Sequence, residues 1–146
     1  MSGEKVLLKN IEDYCQDNGL ILTAMRKRVL QQVMKKEPVK AYDILDSLST
    51  KNEILKPPTI YRALDFLLKA GIIHRLELLD AYILCRHHTK DQSKHQCAFF
   101  LCGKCNNVME VCGVPLKSWI EEVEKKEGLT IERQIVELYG CCDKCR

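Results

Sequence analysis

Apolar residues recur at helical spacing through the first part of the chain. Leu7, Ile11 and Tyr14/Cys15 predict an amphipathic helix over residues 4–17, closed near Gly19. Thr23 is placed to cap a second helix, whose inner face carries Val29, Leu30, Val33 and Met34. Ile44, Leu45 and Leu48 mark a third, shorter one. Pro57-Pro58 then breaks the chain, and Thr59 is placed to cap a fourth helix. Its apolar residues Ile60, Leu64, Leu67 and Leu68 fall on one face, with Tyr61, Arg62, Asp65 and Lys69 on the other, and Gly71 ends it.

After Gly71 the period shortens to that of a strand. Ile72–Leu78 and Ala81–Cys85 predict a hairpin joined near Leu79-Asp80. Short helices followed by a hairpin are the order of a winged helix-turn-helix, whose fourth helix would enter the DNA major groove with the hairpin as its wing. A helical packing domain has the same order, so element order leaves the two even. Further on, Cys97–Leu101 and Val108–Val111 read as strands. Pro115 is placed to open a helix with Leu116, Ile120 and Val123 inward, ending at Gly128, and Thr130–Tyr139 reads as a third strand.

Charge separates the two readings of the first part. Arg26, Lys27, Arg28, Lys35, Lys36 and Lys40 crowd one stretch with only Glu37 among them. Phosphate binding needs such a local patch rather than a high overall charge, and the formal net charge is only +3. Tyr61 and Arg62 suit phosphate and base-edge contacts, since Arg bonds bidentately to guanine. In the bland alternative they are surface residues, with Arg62 paired to Asp65.

Composition bounds the rest. A 146-residue chain with 46% hydrophobic and 29% charged residues is an ordinary globular protein of one domain or two small ones. No apolar run approaches the roughly 20 residues of a spanning helix, and the start leads into no signal-peptide core, so no membrane partner is expected. The nine cysteines are the outlier. An odd count without a secretion signal points to the cytoplasm, where clustered thiols are metal ligands or redox groups more often than disulfides. Eight of the nine, with three of the four histidines, lie after residue 80. Charge shows no such split, with 13 basic against 11 acidic residues up to Asp80 and 10 against 9 beyond it. The polar run 86–96 suggests a hinge between a first domain, 1–85, and a second, 97–146.

Cys102-Gly103-Lys104-Cys105 and Cys142-Asp143-Lys144-Cys145 are two Cys-x-x-Cys pairs. Two intervening residues let both thiolates face one ion, and two pairs make the closed tetrahedral set of a structural zinc site. An iron–sulfur cluster is the lesser alternative, and a dithiol redox centre is disfavoured by the second pair. Such a staple would fasten the tail to a small sheet whose core is limited. His74, Cys85, His95 and Glu110 offer a looser mixed set that zinc also accepts. Spacing alone leaves His87, His88, Cys97 and Cys112 as competitors.

Taken together, the chain resembles the ferric uptake regulator family, most closely its zinc uptake regulator branch. The resemblance rests on Thr23-Ala24-Met25-Arg26-Lys27-Arg28-Val29-Leu30, Ala41-Tyr42-Asp43-Ile44-Leu45, the block Pro57–Leu67, Tyr82-Ile83-Leu84-Cys85 and both cysteine pairs. It implies an α+β protein with an N-terminal winged helix-turn-helix and a small α/β dimerisation domain. It implies two zinc ions per monomer, one structural on Cys102, Cys105, Cys142 and Cys145 and one regulatory on His74, Cys85, His95 and Glu110. It matches Tyr61 and Arg62 to the family's DNA-contacting positions, and Thr59 and the basic Arg26, Lys27 and Arg28 are expected to join them on DNA. Iron-sensing members carry a dense His-His-Asp-His run before the first pair, whereas here the stretch is His87-His88-Thr89-Lys90-Asp91, which favours zinc.

The expectation is therefore a cytoplasmic zinc-responsive repressor of zinc-uptake genes, a homodimer on palindromic double-stranded operator DNA. Ligands from both halves would favour one domain orientation and so one spacing of two recognition helices. The rivals are an iron- or peroxide-responsive regulator of the same family and, further off, a zinc hydrolase with Glu110 as base. No His-Glu-x-x-His motif supports an enzyme.

Overall fold

The computed structural model describes residues 2–86, 97–112, 116–132 and 134–146. His87, His88, His95 and Pro115, and with them most of the expected hinge, lie outside the described residues. The chain forms two compact units, Met1–Lys90 and Asp91–Arg146.

The first unit runs α1 (Ser2–Asp17), α2 (Ala24–Lys35), α3 (Ala41–Leu48), α4 (Pro57–Lys69), β1 (Ile73–Leu76) and β2 (Ala81–Leu84). Thr23 caps α2 as expected, its hydroxyl accepting from the Arg26 N–H at 3.4 Å. Gly19 and Gly71 close α1 and α4 with φ of 66° and 70°, a region open to glycine at little cost. Beyond each, the chain bonds back: Leu20 N–H to Cys15 O at 2.8 Å, Ile72 N–H to Leu67 O at 3.0 Å. The start of α4 differs from expectation. Its cap is Lys56, and Pro57 and Pro58 are the first helical residues, so Thr59 lies one turn inside. Proline suits that position because its fixed φ is helical and the N–H it lacks would have no helical partner.

Val29, Leu30 and Val33 of α2, Ile44 and Leu48 of α3, and Ile60, Ala63, Leu64 and Leu67 of α4 form one buried cluster. Each fully buried aliphatic side chain there contributes about 1.5–3 kcal/mol. Ile11 and Cys15 add α1 to it, and the Tyr14 hydroxyl donates to Ala70 O at 3.1 Å. The hairpin pairs Ile73 with Leu84 through Leu76 with Ala81. Val39 bonds the other edge of β2 through both backbone groups of Tyr82, at 3.0 and 2.8 Å. With neighbours on both edges, all four residues of β2 are buried. β1 is shorter than the expected Ile72–Leu78, because Ile72 closes α4 and the Glu77 carbonyl accepts from Asp80 in the turn.

The second unit contains β3 (Cys97–Cys102), β4 (Val108–Cys112), α5 (Leu116–Glu127), β5 (Val136–Gly140) and a 3-10 turn, Asp143–Cys145. The sheet order is β4-β3-β5, antiparallel then parallel. Ala98, Phe99, Leu101 and Cys102 of the central strand are buried. The expected inner residues of α5, Leu116, Ile120 and Val123, are half-buried. The third strand is half as long as Thr130–Tyr139 predicts. β3 offers only Ala98–Cys102 as partners for Val136–Gly140, and upstream the Ile131 N–H donates to Glu124 Oε1 at 2.7 Å instead.

Candidate metal centre and nucleic-acid face

Both Cys-x-x-Cys pairs converge. One Sγ from each of Cys102, Cys105, Cys142 and Cys145 lies within 4.8 Å of the other three. Cys102 ends β3, and the next residues turn back into β4 through Asn106, at φ 57°. Cys142 and Cys145 flank the 3-10 turn just past β5, which the parallel pairing of β3 and β5 brings alongside. Gly103 N–H donates to Gly140 O at 2.8 Å, and Lys104 Nζ to Cys145 O at 2.8 Å, so the two turns hold each other.

The array fits a tetrahedral thiophilic ion. Cys105 Sγ and Cys142 Sγ are 3.7 Å apart, near the roughly 3.8 Å edge of a tetrahedron with Zn–S bonds of about 2.3 Å. The spacing is far beyond the roughly 2.05 Å of a disulfide. Backbone N–H groups of Cys142, Cys105 and Lys104 aim at Cys102 Sγ and draw its thiol down to about 6, toward the ligating thiolate. Cys145 is pushed up to about 12, chiefly by hydrogen bonding to Cys105 and Cys142, so its proton is one an entering ion would displace. Cys141 is not in the array, and burial raises its thiol. The supporting amides and Lys104 escape a reading of side-chain motifs. Gly103 has a visible reason only here: a Cβ on it would lie 2.2 Å from the Tyr139 hydroxyl.

Of the looser set, each unit is described by itself. His74 lies on β1 and Cys85 just past β2, where its N–H bonds Ile72 O at 2.9 Å. The hairpin register puts them on one face, and a ring nitrogen of His74 lies within 4.8 Å of Cys85 Sγ. Glu110 stands on β4 opposite Phe99, and its Oε1 is buried with no hydrogen-bond partner among the described residues. His95 lies outside the described residues.

On α4 the buried stripe leaves Pro58, Tyr61, Arg62, Asp65 and Lys69 exposed, while Thr59 is half-buried. Arg62 pairs with no carboxylate among the described residues, Asp65 included. The basic stretch of α2 is more committed than its sequence suggests. Lys27 is ion-paired with Glu12 of α1. Arg28 reaches Glu53 at 3.0 Å and donates to Leu48 O at 3.2 Å. Arg26 donates to Ile21 O at 2.6 Å and stacks 3.6 Å over the Phe66 ring of α4. Glu37, the lone acid of the stretch, turns to the hairpin and accepts from Leu84 N–H at 2.9 Å and from Arg86. Lys35, Lys36 and Lys40 remain exposed.

A winged helix-turn-helix followed by a small α/β unit with a four-thiol array that could hold a metal ion defines the class. The sequence model of the Ferric uptake regulator family matches residues 17–139, and the chain belongs to that family. It is 36% identical over 140 residues to the zinc uptake regulation protein of Escherichia coli (strain K12), covering 95% of this chain and 81% of that one. Among solved structures it resembles a zinc uptake regulator complexed with zinc and DNA, at TM-score 0.85 and 34% identity over 97% of this chain and 93% of that one. The structure described as holo XcZur matches at TM-score 0.81 and 35% identity, covering 94% of each chain.

Proposed function

We propose that the chain is a cytoplasmic zinc-responsive transcriptional repressor, which binds palindromic operator DNA as a zinc-loaded homodimer and represses zinc-uptake genes. The observation that carries this reading is the four-thiol array, set in a chain with 36% identity to a zinc uptake regulation protein. Cys102, Cys105, Cys142 and Cys145 would hold the structural ion, and zinc bound there supplies a closed cross-link without an open position for a reacting water. A closed site speaks for a regulator rather than a hydrolase.

His74, Cys85, His95 and Glu110 would hold the regulatory ion. The facing of His74 and Cys85 across the hairpin supports this, as does the buried carboxylate oxygen of Glu110. Because the ligands come from both units, their shared occupancy would select one arrangement of the dimer. Tyr61 and Arg62 would read the major groove, with Thr59 at the helix start and Arg26 beside α4 for phosphates. Lys27 and Arg28, held by Glu12 and Glu53, would add less than bare cations do. Exposed Ile135, Leu138 and Tyr139 along and beside the edge strand β5 support the homodimer.

The test is fluorescence anisotropy of labelled palindromic DNA, titrated with buffered zinc and then with iron, manganese and nickel. Binding that saturates with free zinc is expected. Equal response to iron, or binding indifferent to metal and lost only with peroxide, would overturn the zinc reading in favour of its relatives.

A further inference from the structure

Glu37 lies in the short connector between α2 and α3, among Lys35, Lys36 and Lys40, yet its side chain is only 20% exposed. The strand pairing explains where it goes. Cys85 donates its N–H to Ile72 O on the β1 side, at 2.9 Å, so the Leu84 N–H one residue earlier points to the opposite edge of β2. On that edge the antiparallel bridge of Val39 with Tyr82 places Glu37 opposite Leu84. Glu37 Oε2 accepts from the Leu84 N–H at 2.9 Å, in the place that the carbonyl of a third strand would take. Its Oε1 accepts from the Arg86 guanidinium.

One carboxylate therefore holds the residues on both sides of Cys85. The Leu84 amide is fixed by Oε2, the Cys85 amide by Ile72 O, and the Arg86 side chain by Oε1. Hydrogen bonds to an ionised carboxylate are stronger than neutral ones, which makes this hold stiff. Cys85 is buried, and its Sγ lies within 4.8 Å of a ring nitrogen of His74. A thiol whose chain is pinned at three successive residues keeps its direction toward His74 before any ion arrives.

We propose that Glu37 is a positioning residue for the regulatory zinc, presenting Cys85 as an already oriented ligand and tying it to the end of α2. An ion that meets an oriented ligand does not have to order it, so it binds more tightly than it would to a loose Cys85. The partners of Glu37 are in the hairpin and just beyond it rather than on α4. Its effect therefore falls on the affinity for zinc and not on the DNA complex formed once zinc is bound. The inference rests on the assignment of Cys85 to the regulatory set.

The experiment uses the full-length protein with its four-thiol zinc in place and measures two quantities for each variant. The first is the affinity for a second zinc ion, by competition with a chromogenic chelator. The second is binding to labelled palindromic DNA at saturating zinc, by fluorescence anisotropy. Glu37→Ala should weaken binding of the second ion about tenfold and leave DNA affinity at saturating zinc equal to that of the parent. Arg86→Gln, on a side chain 63% exposed, should give a smaller loss in the same direction without risk to the core. Unchanged zinc affinity in Glu37→Ala, or in Arg86→Gln should Glu37→Ala fail to fold, would overturn the proposal. So would a loss of DNA affinity that saturating zinc does not restore, since that marks Glu37 as a residue of the fold alone. Cys85→Ser, run in parallel, tells the two failures apart. If it loses the second ion while the other two variants keep it, only the positioning role falls. If it binds the second ion as the parent does, the regulatory assignment falls as well.

Discussion

Cys102 does three things at once. It ends β3, it donates its N–H to Asn107 to start the hairpin turn, and its thiol collects backbone N–H groups from Lys104, Cys105 and Cys142. Cys102→Ser is accordingly expected to lower bound zinc by one ion per chain and to leave the second unit poorly folded, as read by metal analysis and circular dichroism. A folded mutant with full zinc would remove the structural role. Arg62 presents the opposite case, exposed on α4 and without a carboxylate partner among the described residues. Arg62→Ala should weaken operator binding by about 1–3 kcal/mol while zinc content stays unchanged. Equal affinity in the anisotropy titration would contradict that role. The sequence made both residues conspicuous, one through its Cys-x-x-Cys spacing and the other through its position opposite the apolar stripe. It could not reveal that Arg26, Lys27 and Arg28 would be occupied, since Glu12 and Glu53 are distant along the chain and only packing brings them near.

At the scale of elements, legibility followed periodicity and punctuation. The stripe of α4 and the glycines at 19 and 71 were sufficient because each acts over one or two turns of chain. The start of α4 was missed by three residues because Pro57 and Pro58 read as a break, when proline also fits the first helical turn. The late start of β5 was not legible, because the length of a parallel strand is set by a partner far away in sequence. β5 is also where an element-scale prediction falls. Its outer edge has no strand neighbour among the described residues, and Leu138 is 49% exposed there. If that edge meets a second copy, Leu138→Lys should raise the dimer dissociation constant at least tenfold in sedimentation experiments, about 1.4 kcal/mol. An unchanged dimer would place the interface elsewhere.

For the whole molecule, the two proposed zinc sites should separate functionally. His74→Ala and Cys85→Ser are expected to keep the fold and the four-thiol zinc but to lose zinc-dependent DNA binding. Normal operator affinity in both would remove the regulatory assignment. The donor types of that set were visible in the sequence, but choosing them over His87, His88, Cys97 and Cys112 needed the family resemblance. The hairpin register adds a physical reason only for His74 and Cys85. The internal ion pairs of α2 also bear on how the molecule meets a polyanion. Each phosphate neutralised by a protein cation releases condensed counterions and steepens the salt dependence of binding by about 0.9 in logarithmic slope. Lys27 and Arg28 already have carboxylate partners, so they displace fewer ions than six clustered cations would suggest. Operator affinity should therefore decline gently with salt, and Glu12→Gln, which frees Lys27, should make that decline steeper.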